Sequence, residues 1–155
     1  MASQNPYRIA LADDHPLFRQ GIKKILEGKG NLEVVAEAGD GVELLLLLNQ
    51  AHPSLVIVDI SMPHLQGIDT LRQIRMKYPG MKILMLTMHR EREYLTAALW
   101  AGADGYLLKD DLAEDLFSAI DTIREGKGFI SPCLLSELRA NGKMIPHFLK
   151  YIMDV

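Results

Sequence analysis

Five short apolar runs at nearly regular intervals constrain the fold of this chain more than any other feature. The runs are residues 8–12, 33–38, 55–59, 83–87 and 105–109, and their first residues are 25, 22, 28 and 22 positions apart. Each interval holds one strand, one crossover helix and two turns, which is typical of parallel βαβ units. Several runs are apolar throughout, as in strands that helices cover on both faces. The spacing therefore predicts a doubly wound, parallel α/β sheet.

Helix signals fall in the intervals between these runs. Apolar residues at helical spacing, together with Gly and Pro breakers, predict helices at about residues 16–28, 41–50, 67–78, 90–101 and 112–126. Five βα units then fill residues 7–126 as one domain, and residues 127–155 form a linker with a short helical tail. The leucine run 44–48 places leucines all round its helix, so at least one of them should be exposed.

The composition argues against a membrane protein, a secreted protein and a basic nucleic-acid binder. The longest unbroken apolar runs have five residues, whereas a membrane span needs about 20, and the N-terminus lacks the apolar stretch of a secretory signal. The single cysteine, Cys133, excludes an internal disulfide and fits a reducing cytosol. The net charge of −3 is unlike that of a basic nucleic-acid binder. We therefore expect a cytoplasmic chain that spans no membrane.

Charged or hydroxyl residues stand at the ends of four of the five predicted strands. Asp13 and Asp14 follow the first strand, Asp59 ends the third, Thr87 the fourth and Lys109 the fifth. Ligands of open α/β sheets bind at this edge. Asp14 alone is equally well explained as a helix N-cap, but the convergence of all five residues favours a site. The second strand contributes only Glu37 and Gly39, as expected of a strand that lies away from that site.

Three neighbouring carboxylates repel one another, and a divalent cation would offset that repulsion. Mg²⁺ prefers oxygen ligands, and Lys109 and Thr87 could hold phosphoryl oxygens. An Asp carboxylate can act as the nucleophile in phosphoryl transfer and form an aspartyl-phosphate. Asp59 is the best candidate for that nucleophile because it ends a central strand and begins a tight loop.

The motifs resemble the receiver domain of bacterial two-component response regulators. The similarity covers residues 7–126 and rests on LADDHP at 11–16, VDISMP at 58–63, Thr87 and AGADGYLLK at 101–109. The opening ADDHPLFRQG and the exit GKGFISP resemble the LuxR/NarL-type, FixJ-like subfamily. The resemblance implies a flavodoxin-like (βα)5 fold, a five-stranded parallel sheet with strand order 2-1-3-4-5. The chain departs from many receivers in having Asp110 rather than proline after Lys109.

The resemblance also implies a role for each matching position. Asp59 would be the phosphoacceptor. Asp14 and Asp59 would contact Mg²⁺ directly, Asp13 would do so through water, and the backbone carbonyl of Ser61 would add a ligand. Lys109 and Thr87 would bind the phosphoryl group, and Thr87 and Tyr106 would form the switch.

Residue-based expectations are more cautious at four nearby positions. A tyrosine in a strand such as Tyr106 is more often half-buried, with its hydroxyl in water. His15 is expected to be an unremarkable exposed histidine at a helix start. Pro63 and Gly67 are expected to shape the loop after Asp59, with a positive φ at Gly67 as one route.

Three other classes of protein share parts of this pattern. Haloacid-dehalogenase-like phosphatases need a second Asp two residues after the nucleophile, where this chain has Ser61. A flavodoxin-type FMN protein needs a Ser/Thr/Gly-rich phosphate loop after the first strand, where this chain has Asp13 and Asp14. A phosphorylation-independent interaction module with a receiver fold is the remaining alternative. We expect no enzyme activity beyond self-phosphotransfer and slow hydrolysis of the aspartyl-phosphate.

The resemblance implies a phosphorylation-dependent signalling switch with a sensor histidine kinase as partner, and a homodimer on phosphorylation. We expect the face formed by the fourth helix, the fifth strand and the fifth helix to carry the output. Only 29 residues follow Gly126, too few for a helix-turn-helix domain of about 50 residues. We therefore expect no DNA binding by this chain alone, although a longer parent protein could regulate transcription through a C-terminal DNA-binding domain.

Overall fold

The computed structural model is built around a parallel sheet and describes residues 5–60 and 67–140. Within these residues the sheet has six strands in the order β2-β1-β3-β4-β5-β6. The strands are β1 (Tyr7–Ala12), β2 (Leu32–Ala38), β3 (Leu55–Asp59), β4 (Lys82–Thr87), β5 (Gly105–Leu108) and β6 (Phe129–Ile130). Every neighbouring pair runs parallel. The predicted order of the first five strands is confirmed.

Helices cover both faces of this sheet. They are α1 (Pro16–Glu27), α2 (Gly41–Ala51), α3 (Gly67–Lys77), α4 (Arg92–Trp100), α5 (Leu112–Arg124) and α6 (Pro132–Ala140). Buried residues of α1 and α5 share one apolar cluster with Ile9 and Leu11 of β1, whereas those of α2, α3 and α4 share a second cluster with Ala10 and Ala12. Successive side chains of a strand point to opposite faces, so β1 contributes to both layers. The doubly wound prediction is confirmed.

The sixth strand was not predicted, and it lies in the segment assigned to the linker. The two residues of β6 pair with Gly105 and Tyr106 of β5. A strand of two residues is too short to show the alternation of apolar and polar residues, which needs about four residues to be recognised. The N-terminus of α1 also differs from one prediction: His15 occupies the N-cap position, and no side chain caps the helix. The capping alternative for Asp14 is therefore wrong.

Glycines act as predicted at two helix ends and differently at a third position. Gly102 and Gly126 follow α4 and α5 with φ of +105° and +89°, values that favour glycine. Gly67 does not have a positive φ. A Cβ at Gly67 would lie 2.5 Å from the carbonyl oxygen of Asp59 and 2.6 Å from the Cα of Ile60. Glycine is needed at Gly67 because the backbone after β3 passes directly against it.

Two further expectations concern the surface. Leu46 is 66% exposed on α2, while Leu44 and Leu48 are buried, which confirms that the leucine run leaves a residue outside the core. Among the described residues, no helix combines the length and apolar character needed to cross a membrane. Ser61, Pro63 and residues 141–155 lie outside the described residues, so the predictions that fall on them stay predictions.

We expect Gly67→Ala to lower the free energy of unfolding by more than about 2 kcal/mol, because the new methyl group would overlap backbone that cannot rotate away. Gly21→Ala is the matched control. A Cβ at Gly21 meets no atom within 4 Å, and alanine inside a helix should stabilise by about 0.5–1 kcal/mol. Urea unfolding of both variants measures the difference. Similar midpoints for the two variants would contradict the close approach at Gly67.

Candidate functional site

The predicted carboxylates meet at the edge of the sheet where the strands end. Asp13 and Asp14 follow β1, and Asp59 is the last residue of β3, the strand that pairs with β1. Ligand atoms of these three residues and of His15 all lie within 4.8 Å of one another. The side chains of Asp13 and Asp59 are 1% and 2% exposed, and that of Asp14 is 28% exposed. The strand ends thus form one acidic pocket.

Lys109 brings a positive charge into this pocket from β5. Its Nζ lies 3.1 Å from Oδ2 of Asp13 and donates a hydrogen bond of 3.3 Å to Oδ2 of Asp59. The lysine side chain is 10% exposed, and its ammonium group lies 4.4 Å from the centroid of the Phe18 ring on α1, where a cation–π contact is favourable. One buried cation therefore faces two buried carboxylates.

His15 takes a larger part in the pocket than the sequence indicated. Its backbone N–H donates a hydrogen bond of 2.8 Å to Oδ1 of Asp13. Its ring Nδ1 lies 3.1 Å from that oxygen and 3.0 Å from Oδ1 of Asp14. The ring itself remains mostly exposed. The expected exposed histidine at a helix start is confirmed. His15 also contacts both carboxylates that follow β1.

A second layer of charged residues supports the turn after β1, and sequence reasoning missed it. Nη1 of Arg19 donates hydrogen bonds to the carbonyl oxygens of Asp13 at 2.5 Å and of Ala38 at 3.4 Å. Glu37 at the end of β2 accepts from Arg19 Nε at 3.4 Å and from Lys23 Nζ at 3.0 Å. The planar guanidinium suits this bridging role between two strand ends. No local motif marks Arg19, because its partners are distant backbone carbonyls.

Thr87 and Tyr106 are linked through the backbone of His89. The buried Thr87 hydroxyl accepts a hydrogen bond of 2.8 Å from the N–H of His89, and the Tyr106 hydroxyl donates one of 3.1 Å to the carbonyl of the same residue. Thr87 directly follows Leu86, the register partner of Asp59. His89, in the β4–α4 loop, therefore contacts both residues of the predicted switch pair.

Tyr106 contradicts the residue-based expectation of a solvated hydroxyl. Its side chain is completely buried. Burial raises the pKa of the Tyr106 phenol well above its usual range. The aromatic ring belongs to the same apolar cluster as Leu95 and Leu99 of α4. The sequence around Tyr106 does not predict this burial, because the hydroxyl finds its partner in the β4–α4 loop, at the carbonyl of His89.

Two buried carboxylate oxygens in the pocket accept no hydrogen bond within the described part of the chain. They are Oδ2 of Asp13 and Oδ1 of Asp14, although Lys109 Nζ and His15 Nδ1 lie close to them as charged or polar neighbours. Buried polar atoms normally have partners. An oxygen-rich pocket with unsatisfied carboxylates has the ligand chemistry that hard divalent cations prefer.

The chain is similar in sequence to proteins of one family. The family described as response regulator receiver domain matches residues 9–121. Transcriptional regulatory protein DegU from Brevibacillus brevis is 37% identical over 130 residues, which cover 84% of this chain and 55% of DegU. The chain therefore spans little more than half the length of that curated relative.

Solved structures agree with these sequence matches. A two-component response regulator of the LuxR family from Aurantimonas sp. SI85-9A1 superposes with a TM-score of 0.83 and 36% identity, covering 88% of this chain and 98% of the other. A structure of two RcsB dimers bound to two parallel DNAs superposes with a TM-score of 0.78 and 32% identity, covering 85% of this chain and 69% of the other.

We expect Lys109→Met to destabilise the fold by about 3 kcal/mol, because it leaves Asp13 and Asp59 buried without their cation. Lys127→Met is the control, since it removes a surface pair of 3.5 Å with Glu125 and should change stability by no more than about 1 kcal/mol. Urea unfolding in metal-free buffer measures both. Equal effects would mean that the pocket tolerates two unneutralised carboxylates.

Proposed function

The chain belongs to the response regulator receiver domain family, and we propose that it works as a phosphorylation-dependent switch in which Asp59 accepts the phosphoryl group. The observation that carries this proposal is the position of Asp59. It lies buried at the end of β3, within reach of two other carboxylates and of the Lys109 ammonium group. Histidine-kinase phosphate is the proposed source of the phosphoryl group.

The proposed reaction is a simple transfer. A carboxylate oxygen of Asp59 attacks phosphorus, the bond between phosphorus and the donor nitrogen of the kinase histidine breaks, and the released imidazole takes up a proton. The electrostatic role would fall to Lys109, whose ammonium group lies in the pocket, and to the Thr87 hydroxyl at the end of β4. Lys109 leaves its pairing with the carboxylate of Asp59 for a phosphoryl oxygen, and the Thr87 hydroxyl donates to another.

Mg²⁺ is the proposed cofactor, and the acidic pocket fits it. Asp13, Asp14 and Asp59 would hold the ion, with the backbone carbonyl of Ser61 as a further ligand. When bound, the cation supplies charge neutralisation for the carboxylates and for the incoming phosphoryl oxygens. Oδ2 of Asp13 and Oδ1 of Asp14 accept no hydrogen bond from the described residues, which supports this assignment. His15 would help to orient both carboxylates.

The proposed signal passes from Thr87 to Tyr106 through His89. If the Thr87 hydroxyl turns to the phosphoryl group, the N–H of His89 loses its acceptor. The β4–α4 loop then rearranges around the remaining bond from Tyr106. This local change would bias the face formed by α4, β5 and α5 between two packings, and that face is the proposed output surface.

Two alternative functions, a phosphatase and a phosphorylation-independent interaction module, each conflict with one feature of this chain. A phosphatase of the haloacid-dehalogenase class would need an acid/base two residues after Asp59, where Ser61 stands, so we propose slow hydrolysis and a persistent phosphoryl-aspartate. A phosphorylation-independent interaction module would not need the buried Lys109 and its two carboxylate partners. For this reason we propose a signalling domain rather than an enzyme.

The role that we propose for the whole protein rests on its relatives. DegU is a transcriptional regulatory protein, and the RcsB structure contains dimers on DNA. We propose that this chain acts in the cytoplasm, receives its signal from a sensor histidine kinase, and controls transcription through a DNA-binding domain in a longer protein.

Acetyl phosphate and Mg²⁺ should convert the chain to a singly phosphorylated form that is stable in acid and labile in base. Asp59→Asn should abolish this adduct because it removes the carboxylate oxygen that forms the bond to phosphorus. The control is Asp69→Asn, which changes an exposed carboxylate on α3 paired with Arg72. Intact-mass spectrometry measures the adduct, and chelation of Mg²⁺ before acetyl phosphate is added should prevent its formation. Equal labelling of Asp59→Asn and the parent would falsify the assignment.

Phosphorylation should also shift the chain toward a homodimer through the α4–β5–α5 face. Trp100 is 55% exposed on α4, so Trp100→Ala should weaken the dimer by removing an aromatic anchor. Met76→Ala on α3 removes another exposed apolar side chain and is the control. Sedimentation velocity with beryllofluoride and Mg²⁺ measures the mass. No increase for the parent would exclude this form of output.

A further inference from the structure

Ser131, the residue between β6 and α6, is a completely buried polar residue outside the acidic pocket. Its hydroxyl oxygen accepts a hydrogen bond of 2.8 Å from the N–H of Leu108. Its own N–H donates a hydrogen bond of 2.9 Å to the carbonyl of Tyr106. Ser131 therefore holds the backbone of β5 on both sides of Leu107, next to the residues proposed for phosphoryl binding and switching.

The hydrogen bond from Leu108 to Ser131 extends the pairing of β5 beyond the end of its short neighbour, β6. β6 reaches only as far as Ile130, opposite Tyr106. The N–H of Leu108 lies two residues further along β5, immediately before Lys109. A buried N–H without an acceptor destabilises the fold, and the Ser131 hydroxyl takes the place of the missing acceptor on the neighbouring strand. It thereby orders the last peptide of β5 before Lys109.

Ser131 also directly precedes α6 and accepts its first hydrogen bonds. The carbonyl oxygen of Ser131 accepts hydrogen bonds of 3.0 Å from the N–H groups of Leu134 and Leu135. Leu134 is buried in the apolar cluster that contains Tyr106 and Leu108. Beside it, Sγ of Cys133 lies 3.7 Å from Nη1 of Arg90 in the β4–α4 loop. The first turn of α6 is thus packed against the elements that carry the proposed switch.

We propose that Ser131 is a positioning residue that couples Lys109 to the first turn of α6, so that binding of a phosphoryl group and docking of α6 favour each other. The proposal rests on the proposed function. Lys109 can hold a phosphoryl oxygen only while the end of β5 is ordered, and the Ser131 hydroxyl orders it. Because coupling between two equilibria is reciprocal, a phosphoryl group held by Lys109 must in turn stabilise the docked turn.

Beryllofluoride binding in the presence of Mg²⁺ tests one direction of this coupling in the full chain. Ser131→Ala should raise the dissociation constant about tenfold, within the usual range for coupled sites. Ser131→Thr keeps the hydroxyl and should restore most of the affinity. Ser136→Ala is the control, since it removes a hydroxyl that donates to the Pro132 carbonyl one turn earlier on α6. Fluorine NMR of the bound beryllofluoride measures the affinity, with circular dichroism establishing that each variant is folded.

Amide hydrogen exchange tests the other direction. Beryllofluoride should slow exchange at Leu134 and Leu135 in the parent chain and leave it nearly unchanged in Ser131→Ala. A purely structural role predicts a lower urea midpoint for Ser131→Ala, with parental affinity among the folded molecules, and that result overturns the coupling alone. A parent chain that binds no beryllofluoride overturns the proposed function and the coupling together.

Discussion

The confinement of like charges at one edge of the sheet is the constraint on which the rest of this structure depends. Asp13 and Asp59 are almost completely buried, and their carboxylates face each other across neighbouring strands. Like charges in a poorly solvated pocket repel strongly. Lys109 neutralises part of this charge and leaves the pocket acidic. The remaining negative charge favours binding of a cation. The ion pairs of Lys109 keep its ammonium group in the pocket, where it can bind an anion.

Backbone hydrogen bonds connect the strand ends beside the pocket to the β4–α4 loop and to α6. Thr87 and Tyr106 both bond to His89, and Ser131 bonds to both ends of the Tyr106–Leu108 segment. These bonds link rigid strand ends to loops and to the first turn of α6. Packed strands move little, so a change in the pocket would be expressed mainly in the β4–α4 loop and at α6.

Sequence reasoning worked best where a residue's environment follows from its place in a strand. The bounds of β3 were predicted to the residue, and the strand-end residues Asp13, Asp59 and Lys109 were predicted to meet because parallel strands end at a common edge. It failed where a distant backbone atom decides the role. The hydroxyl of Tyr106, the guanidinium of Arg19 and the pairing of β6 each depend on a carbonyl or an N–H that no local pattern identifies.

The sequence by itself determined the alternation of strands and helices, the two-sided burial of the sheet and the set of reactive residues at its edge. These features follow from apolar periodicity and from chain connectivity, which are local properties. Only the tertiary structure decided that Gly67 must lack a side chain, that Tyr106 is buried, and that Ser131 completes β5. These depend on atoms brought together from distant parts of the chain, and such contacts exist only after packing has fixed their distances.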